Sequence, residues 1–330
     1  MNIGIDLGFY ATKAVTAGKD PVHFVSAAAP PADSMLSMNG HTNVVVSSVF
    51  GTHLTGEEAV KFDPGDTRQE FSDWVNTNQY MQLFYGALGR LTDASQFSVN
   101  LGVGLPIADY GRYKDTLGAR LLGRHEFTLL GIEGRHQQVA KVEVVRVIPQ
   151  GWGAVLCVLF DDGGRVVNPD VSRQRVAVLD IGGRTVNYLS VDGLADIPAE
   201  SRGTRRGAWN VVRKLRLFLK DYYPDLAELA DYRLMQAVME REIYNGDERV
   251  DLAPVVNPEL EDIGAEIVNT ARQYWGNTAA TFRKVLVIGG GAYLWGDAVK
   301  RAFPQAAVLP APEFANARGY YRYVTAKARG

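Results

Sequence analysis

The sequence predicts a protein of two α/β domains, and three observations carry that expectation. The chain has 330 residues, long for one domain and comfortable for two. Short apolar strands and helical periodicity mix through both halves with no low-complexity linker, which points to two α/β units in intimate contact. One signature occurs twice: Ile3-Gly4-Ile5-Asp6-Leu7-Gly8 and Ala177-Val178-Leu179-Asp180-Ile181-Gly182 each run an apolar strand into aspartate, an apolar residue and glycine, and a threonine follows at Thr12 and at Thr185. The pair fits a β-hairpin used once per domain.

The elements follow in order. Ile3 to Asp6 reads as a strand, and so does Val44 to Val49. Thr67 to Leu91 spaces Phe71, Trp74, Val75, Met81, Phe84 and Leu88 as a helix does. Phe97 to Leu105 alternates as a strand and stops at Pro106, and Tyr110 to Leu122 is helical. His125 to Leu130 and Val139 to Ile148 alternate apolar and polar residues, with Gly131 to Arg135 turning between them as a hairpin. After Pro149, Gly151 to Phe160 reads as a short helix and Asp161-Asp162-Gly163-Gly164 as a turn. Val176 to Asp180 is a buried strand with Thr185 to Val191 as its partner. Gly207 to Tyr222 and Leu226 to Tyr244 read as helices, Val250 to Val256 as a strand, and Glu259 to Tyr274 as a helix. Val285 to Ile288 is a strand opening into Gly289-Gly290-Gly291, followed by a helix from Trp295 to Phe303, a strand from Ala307 to Leu309 and a closing helix from Ala315 to Ala328.

Composition excludes several classes of function. Hydrophobic residues at 46% and charged residues at 22% exclude a disordered chain. Lysine plus arginine, 35, nearly balances aspartate plus glutamate, 37, which excludes wholesale coating of nucleic acid but leaves a local basic patch open. A single cysteine, Cys157, can neither staple a secreted fold nor build a zinc cluster. No apolar stretch approaches the ~20 residues of a membrane helix, and the N-terminus runs straight into a strand with no signal-peptide pattern. The expectation is a soluble cytoplasmic protein with no membrane partner.

Three glycine-containing turns carry the chemistry. In Asp6-Leu7-Gly8-Phe9-Tyr10-Ala11-Thr12-Lys13 a strand-end carboxylate suits the hydrated Mg²⁺ ion, which keeps most of its waters. Gly8 lets the backbone approach an anion, turn amides form an anion nest, and Lys13 neutralises phosphate. A tight hairpin with a solvated lysine explains this segment equally well. Asp180-Ile181-Gly182-Gly183-Arg184-Thr185-Val186-Asn187 repeats the arrangement, although an ordinary hairpin also favours glycine. In Val285-Leu286-Val287-Ile288-Gly289-Gly290-Gly291-Ala292 a buried strand leads through three glycines into a helix, where backbone can lie against a flat ligand or a phosphate. Neither a GxGxxG fingerprint nor a GxxxxGK[ST] loop accompanies it.

In this order the three segments resemble the phosphate 1, phosphate 2 and adenosine motifs of the actin, sugar-kinase and heat-shock-chaperone superfamily. Ile148-Pro149-Gln150-Gly151-Trp152-Gly153-Ala154 resembles the segment that first connects its two domains. Within the superfamily the resemblance is closest to the ParM/StbA-type bacterial and archaeal actin-like proteins. The chain is too short for a chaperone's substrate domain and lid. Leu54-Thr55-Gly56-Glu57-Glu58-Ala59 resembles the TGxxA segment, and Pro312-Glu313-Phe314-Ala315-Asn316-Ala317-Arg318-Gly319-Tyr320-Tyr321 resembles the closing helix that packs on domain I.

The resemblance implies an actin-like fold: two domains, each a mixed sheet with flanking helices, and a nucleotide cleft between them. Domain I would comprise residues 1–150 plus 312–330, and domain II residues 151–311. It implies hydrated Mg²⁺ on Asp6 and Asp180, and phosphates clasped by Gly8, Tyr10, Thr12 and Lys13 from one side and by Gly182, Gly183 and Thr185 from the other. Gly207 would open the helix flanking adenine, Gly289, Gly290 and Gly291 would face ribose and base, and Gln150 would orient the attacking water. It further implies ATP (or GTP) as cofactor, hydrolysis coupled to polymerisation, and a filament of the chain with itself. In plasmid segregation a DNA-binding adaptor protein would be the second partner, so no direct contact with nucleic acid is required.

Three departures bear on the hydrolysis rate. Relatives usually carry glutamate where Gln150 stands, often aspartate where Asn187 stands, and smaller residues where Arg184 stands. Two other readings compete. A small-molecule kinase of the superfamily would need a catalytic aspartate near a glycine-rich loop, and Asp109, after Gly102-Val103-Gly104-Leu105-Pro106, is the candidate. A non-polymerising nucleotide-dependent scaffold has the same motifs. The basic run Arg202 to Arg216 reads better as a solvated helix face with nucleotide contacts than as a DNA patch. The histidines His23, His41, His53, His125 and His136 show no metal-ligand spacing, and Cys157 reads as a small buried hydrophobe.

Overall fold

In the computed structural model the first strand, β1 (Asn2–Leu7), is buried along almost its whole length, as an apolar run flanked by two other strands must be. The structure describes residues 1–31, 44–62, 73–131 and 135–329. The chain divides into two compact units, Met1–Ser172 with Glu313–Gly330, and Arg173–Pro312.

The first unit begins with β1, β2 (Ala11–Thr16), β3 (Val22–Val25), β4 (Ala28–Ala29), β5 (Val45–Ser48) and β6 (Gly51–Thr55). Then come α1 (Glu57–Phe62), α2 (Asn78–Leu91), β7 (Gln96–Leu105), α3 (Ile107–Leu121), β8 (Gly123–Leu130), β9 (Arg135–Pro149) and α4 (Trp152–Leu159). The second contains β10 (Arg175–Ile181), β11 (Val186–Asp192), β12 (Ala195–Asp196), β13 (Arg202–Thr204), α5 (Trp209–Tyr222), α6 (Pro224–Ala227) and α7 (Asp231–Glu240). It continues with β14 (Glu242–Asn245), β15 (Glu248–Asp251), α8 (Ala253–Trp275), β16 (Lys284–Ile288), α9 (Ala292–Ala302) and β17 (Ala306–Val308). The chain then returns to the first unit as α10 (Ala315–Arg329).

Among the described residues the first sheet runs β3-β2-β1-β7-β9-β8-β5-β6-β4, and the second β12-β11-β10-β16-β17 with β13 also on β11. The centres of the two sheets have one plan. β1 is antiparallel to β2 and parallel to β7; β10 is antiparallel to β11 and parallel to β16. The repeated sequence signature is therefore a repeated piece of topology. Register amends one detail of it. Leu7 pairs with Thr12, and Ile181 with Val186, so Thr12 corresponds to Val186 and Ala11 to Thr185. The two threonines are not equivalent positions.

The first core packs α2 on the sheet through Phe84, Leu88 and Met81 against residues such as Ile5 and Leu101. Helix α10 lies on β1, β7 and α4. Gly4 and Gly319 permit that approach, since a Cβ on either would strike the carbonyl of Ala317 or of Gly153, respectively.

Several elements differ from the sequence expectation. The helix expected from Gly151 packs on α10 within the first unit, so this unit extends to Ser172 rather than ending near Gln150. The expected helix Leu226 to Tyr244 breaks into α6, α7 and β14. Arg241 adopts a left-handed conformation (φ 64) that ends α7, and Gly246 (φ 62) turns β14 into β15. The strand expected to reach Val256 stops at Asp251, and α8 begins at Ala253 with Pro254 in its first turn, where a missing N–H costs nothing. Pro258, inside that helix, masked its length. Helix α2 starts only at Asn78, because Thr77 caps it by accepting from the Tyr80 N–H at 3.1 Å. Thr67 to Ser72, with Phe71, lie outside the described residues, as do His41 and residues 132–134 of the expected turn. Among the described residues no helix is long and apolar enough to cross a membrane.

Candidate functional site

The first hairpin joins β1 to β2. Asp6, only 6% exposed, stands opposite Lys13 in the register. Gln150, the residue after the end of β9, donates through Nε2 to Asp6 Oδ1 at 3.0 Å in a buried contact. Lys13 Nζ donates to the Ala11 carbonyl at 3.0 Å, which lays the ammonium over the turn. A Cβ on Gly8 would stand 3.1 Å from that same carbonyl. Thr12 is fully buried between β1 and β3 with its hydroxyl 2.9 Å from that of Ser26. The Tyr10 carbonyl accepts from the Ser26 N–H at 2.8 Å. Trp74, read from the sequence only as a helix-face residue, braces this hairpin. Its Nε1 donates to the Leu7 carbonyl at 3.3 Å and its ring lies 5.6 Å from that of Phe9.

Tyr80 is buried beside this centre and its hydroxyl has no hydrogen-bond partner among the described residues. Burial, with the negative charge of Asp6 added, pushes its phenol well above the ordinary range, so it stays protonated.

The second hairpin joins β10 to β11. Asp180, 5% exposed, stands opposite Asn187. Gly182 N–H donates to the Thr185 carbonyl at 2.8 Å and closes the turn. Backbone packs against backbone around it. The Trp209 N–H donates to the Gly183 carbonyl at 2.8 Å and the Gly291 N–H to that of Ile181 at 2.8 Å. A Cβ on Gly207 would come within 2.5 Å of the Gly182 and Gly183 carbonyls, so the structure places Gly207 beneath the hairpin as a packing residue. Gly289 (φ 83) is equally committed: a Cβ there would meet the Ile181 carbonyl and stand 2.8 Å from Asp180 Oδ1. Gly290 differs from both. It is exposed, and a Cβ on it would meet nothing within 4 Å. Its bare backbone faces open space beside two glycines that structure alone requires. Arg184, at the tip, lies 5.6 Å over the Trp209 ring.

The arrangement brings Asp6, Gln150 and Lys13 together in one unit, and Asp180, the glycine turn and the glycine triplet together in the other. Among the described residues no group of three or more His, Cys, Asp or Glu side chains could hold a metal directly. A buried carboxylate at a strand end suits an ion that keeps its waters, and that donor set fits Mg²⁺ better than zinc or calcium. The exposed glycine backbone fits a flat or phosphorylated ligand.

Other candidates have structural employment. Burial pushes the Cys157 thiol up to about 11, and its Sγ donates to the Ala315 carbonyl at 3.1 Å. His125 contacts the Leu121 carbonyl through Nε2 at 2.9 Å and the Tyr85 hydroxyl through Nδ1 at 3.2 Å. In the basic run, Arg206 pairs with Glu266 at 2.8 Å, Lys214 with Glu259 at 3.3 Å, and Arg216 with Asp231, so much of its charge is answered within the unit. Asp109 sits in the first turn of α3.

Residues 4–153 match the family model described as the N-terminal domain of actin-like proteins. Residues 178–301 match the C-terminal model of the archaeal MreB-like actin homologue. The chain is an actin-like protein. It is 24% identical over 341 aligned positions to an archaeal actin homolog of Thermoplasma volcanium, covering 96% of this chain and 97% of that one. Its fold superposes on a ParM from a 15-stranded Clostridium botulinum filament with TM-score 0.82 at 21% identity, covering 98% of each chain. It also superposes on the archaeal actin homolog Ta0583, solved in complex with ADP, with TM-score 0.75 at 19% identity, covering 100% of this chain and 99% of the other. This actin-like fold accounts for the repeated sheet centre, since each unit contributes its own strand, hairpin and parallel neighbour.

Proposed function

We propose that this actin-like chain binds Mg-ATP, or Mg-GTP, hydrolyses it, and polymerises into filaments whose lifetime the nucleotide state sets. Its role would be DNA (plasmid) segregation or a related cytoskeletal task in the cytoplasm. The observation that carries the reading is the repeated hairpin, with a buried carboxylate ending the strand in each unit and a glycine turn following it. The ParM relative's filament and the ADP complex of the archaeal homologue support it.

In this reading Asp6 and Asp180 hold hydrated Mg²⁺ through its waters; the ion, when bound, neutralises phosphate charge. Gly8, Tyr10, Thr12 and Lys13 clasp phosphate from the first hairpin; Gly182, Gly183 and Thr185 do so from the second. Gly290, between Gly289 and Gly291, lets ribose and base lie against backbone, and Gly207 supports the second hairpin from below. Gln150 orients the attacking water while tied to Asp6; an amide orients a water without taking its proton. A head-to-tail contact that does not close produces a filament, and ATP favours assembly if the ATP-bound conformation binds its neighbours better. A DNA-binding adaptor would then link filament to cargo.

Light scattering and electron microscopy at micromolar protein test the reading with ATP, ADP and a non-hydrolysable analogue. Filaments are expected with ATP and the analogue, with the ATP filaments shortening as phosphate is released. Monomers in every condition, with phosphate passed to an added sugar or acid, would favour a kinase and contradict it.

A further inference from the structure

The direction of Gln150 is set from both sides. Its own N–H donates to the Leu105 carbonyl, at the end of β7, at 2.7 Å. The next N–H, that of Gly151, donates to Asn316 Oδ1 at 3.0 Å in a buried bond between residues 165 apart in sequence. Planar peptides leave only two soft dihedrals at each residue, so pinning both flanking peptides fixes where the Gln150 Cβ points. From there Nε2 reaches Asp6 Oδ1 at 3.0 Å. Gly151 has φ 91, a conformation that comes at little cost only to glycine, so the peptide before it is turned in a direction that ordinary helix entry does not supply.

Asn316 is itself immobilised. It is 4% exposed, on the first turn of α10, and α10 is locked to α4 and the turn after it. The Tyr321 hydroxyl donates to the Asp162 carbonyl at 2.8 Å, Arg322 Nε to Asp162 Oδ1 at 2.8 Å, and the Cys157 thiol to the Ala315 carbonyl at 3.1 Å. A Cβ on Gly153 would stand 2.7 Å from Asn316 Oδ1, so the small residue at that position keeps the amide oxygen in reach of Gly151. These contacts make a continuous path: Asn316 holds the Gly151 peptide, that peptide aims Gln150, and Gln150 holds the Asp6 carboxylate.

We propose that Asn316 is a positioning residue for the nucleotide chemistry, an inference that rests on the function proposed above. It acts through the Gly151 peptide on Gln150 and makes no contact with the reacting atoms in this role. The test compares full-length wild type with Asn316→Ala and with Asn316→Asp, which keeps an acceptor oxygen in the same place. Phosphate release under Mg-ATP is resolved into kcat and KM, and nuclear magnetic resonance follows the Gly151 backbone amide and the Gln150 side-chain amide. Asn316→Ala is expected to lower kcat about tenfold, the scale of one buried hydrogen bond, with KM nearly unchanged. Its Gly151 amide exchanges faster, its Gln150 amide resonance shifts, and Asn316→Asp recovers most of the rate. Asn316→Ser, whose hydroxyl is too short to reach Gly151, supplies the same contrast where the alanine variant does not fold. Wild-type kcat in Asn316→Ala, or an aspartate variant no better than alanine, would overturn the inference. A wild-type protein that releases no phosphate would sink the ATPase reading alone. The Gln150 amide resonance then still decides: a shift in Asn316→Ala supports the positioning path, and an unmoved resonance overturns it.

Discussion

In the first unit the hairpin is braced by side chains: Gln150 on Asp6, Lys13 across the turn, and Trp74 on the Leu7 carbonyl. In the second it is braced by backbone. Carbonyls of Ile181 and Gly183 receive amides of Gly291 and Trp209, and glycines stand wherever a Cβ would intrude. The same topology is thus held in two ways. Side-chain bracing concentrates charge and leaves each contact open to graded change. Backbone bracing leaves no room for a side chain at Gly207, Gly289 or Gly291, while Gly290 stays open. In the function proposed above, Lys13 and Gln150 would answer phosphate charge, and the glycines of the second unit would supply shape.

The sharpest way to break this comparison is to remove the feature both hairpins share. Asp180→Ala is expected to leave the protein folded and to slow Mg-nucleotide hydrolysis by roughly a hundredfold or more, as phosphate release will show. A folded variant releasing phosphate at the wild-type rate would remove Asp180 from the site.

The glycine triplet sharpens the comparison within one unit. Gly289→Ala puts a side chain at φ 83 against the Ile181 carbonyl and is expected to destabilise the second unit by more than about 2 kcal/mol. At Gly290 an added Cβ meets nothing within 4 Å, and Gly290→Val is expected to change the unfolding free energy by less than about 0.5 kcal/mol while weakening nucleotide binding at least tenfold. Denaturant unfolding and calorimetry separate the two. Equal stability losses would mean that Gly290 is only part of a turn.

Gln150→Ala tests the side-chain bracing. It removes a hydrogen bond to a carboxylate, worth about 1.5–3 kcal/mol, but leaves the phosphate clasp. Hydrolysis is expected to slow by about tenfold or more and filaments to persist longer. Unchanged turnover would show that the link to Asp6 is structural only.

The smallest effect is with pH. All five histidines fall at positions 23 to 136 of the sequence, so the second unit has none. Burial lowers His125, His53 and His23 below the ordinary 6.5. The unfolded chain therefore takes up these protons first. The stability that the neutral rings contribute is present above about pH 6.5 and is lost as pH falls through their lower folded values. Hydrogen exchange at about pH 5 and about pH 7.5 should show the first unit loosening selectively in acid. Equal loosening of both units would contradict the assignment.

Much of the candidate site is legible because its residues are local in sequence. Asp6 to Lys13, Asp180 to Asn187 and the glycine triplet each sit on a single turn, and apolar strands ending on aspartate and glycine announce them. What escaped was bracing made over long separations. No local pattern links Trp74 to Leu7 or Asn316 to Gly151, which meet only through tertiary packing. The threonine that follows each signature suggests equivalent positions, yet register sets Thr12 opposite Leu7 and Val186 opposite Ile181, with the Thr12 hydroxyl beside that of Ser26. The packing of Gly207 against the Gly182 and Gly183 carbonyls is another contact that no local pattern announces. In the fold, the break between α7 and β14 depends on a left-handed arginine that helical periodicity does not reveal, and the long α8 was hidden by Pro258.

The central proposal is that the hairpin of each unit, β1–β2 and β10–β11, takes part in holding a nucleotide's phosphates. Amide hydrogen exchange with and without Mg-ADP tests it most directly. The account predicts that protection rises together, over the same range of nucleotide concentration, at the Gly8–Thr12 and Gly182–Thr185 amides. Protection confined to one hairpin, or absent from both while the nucleotide is bound, would contradict it.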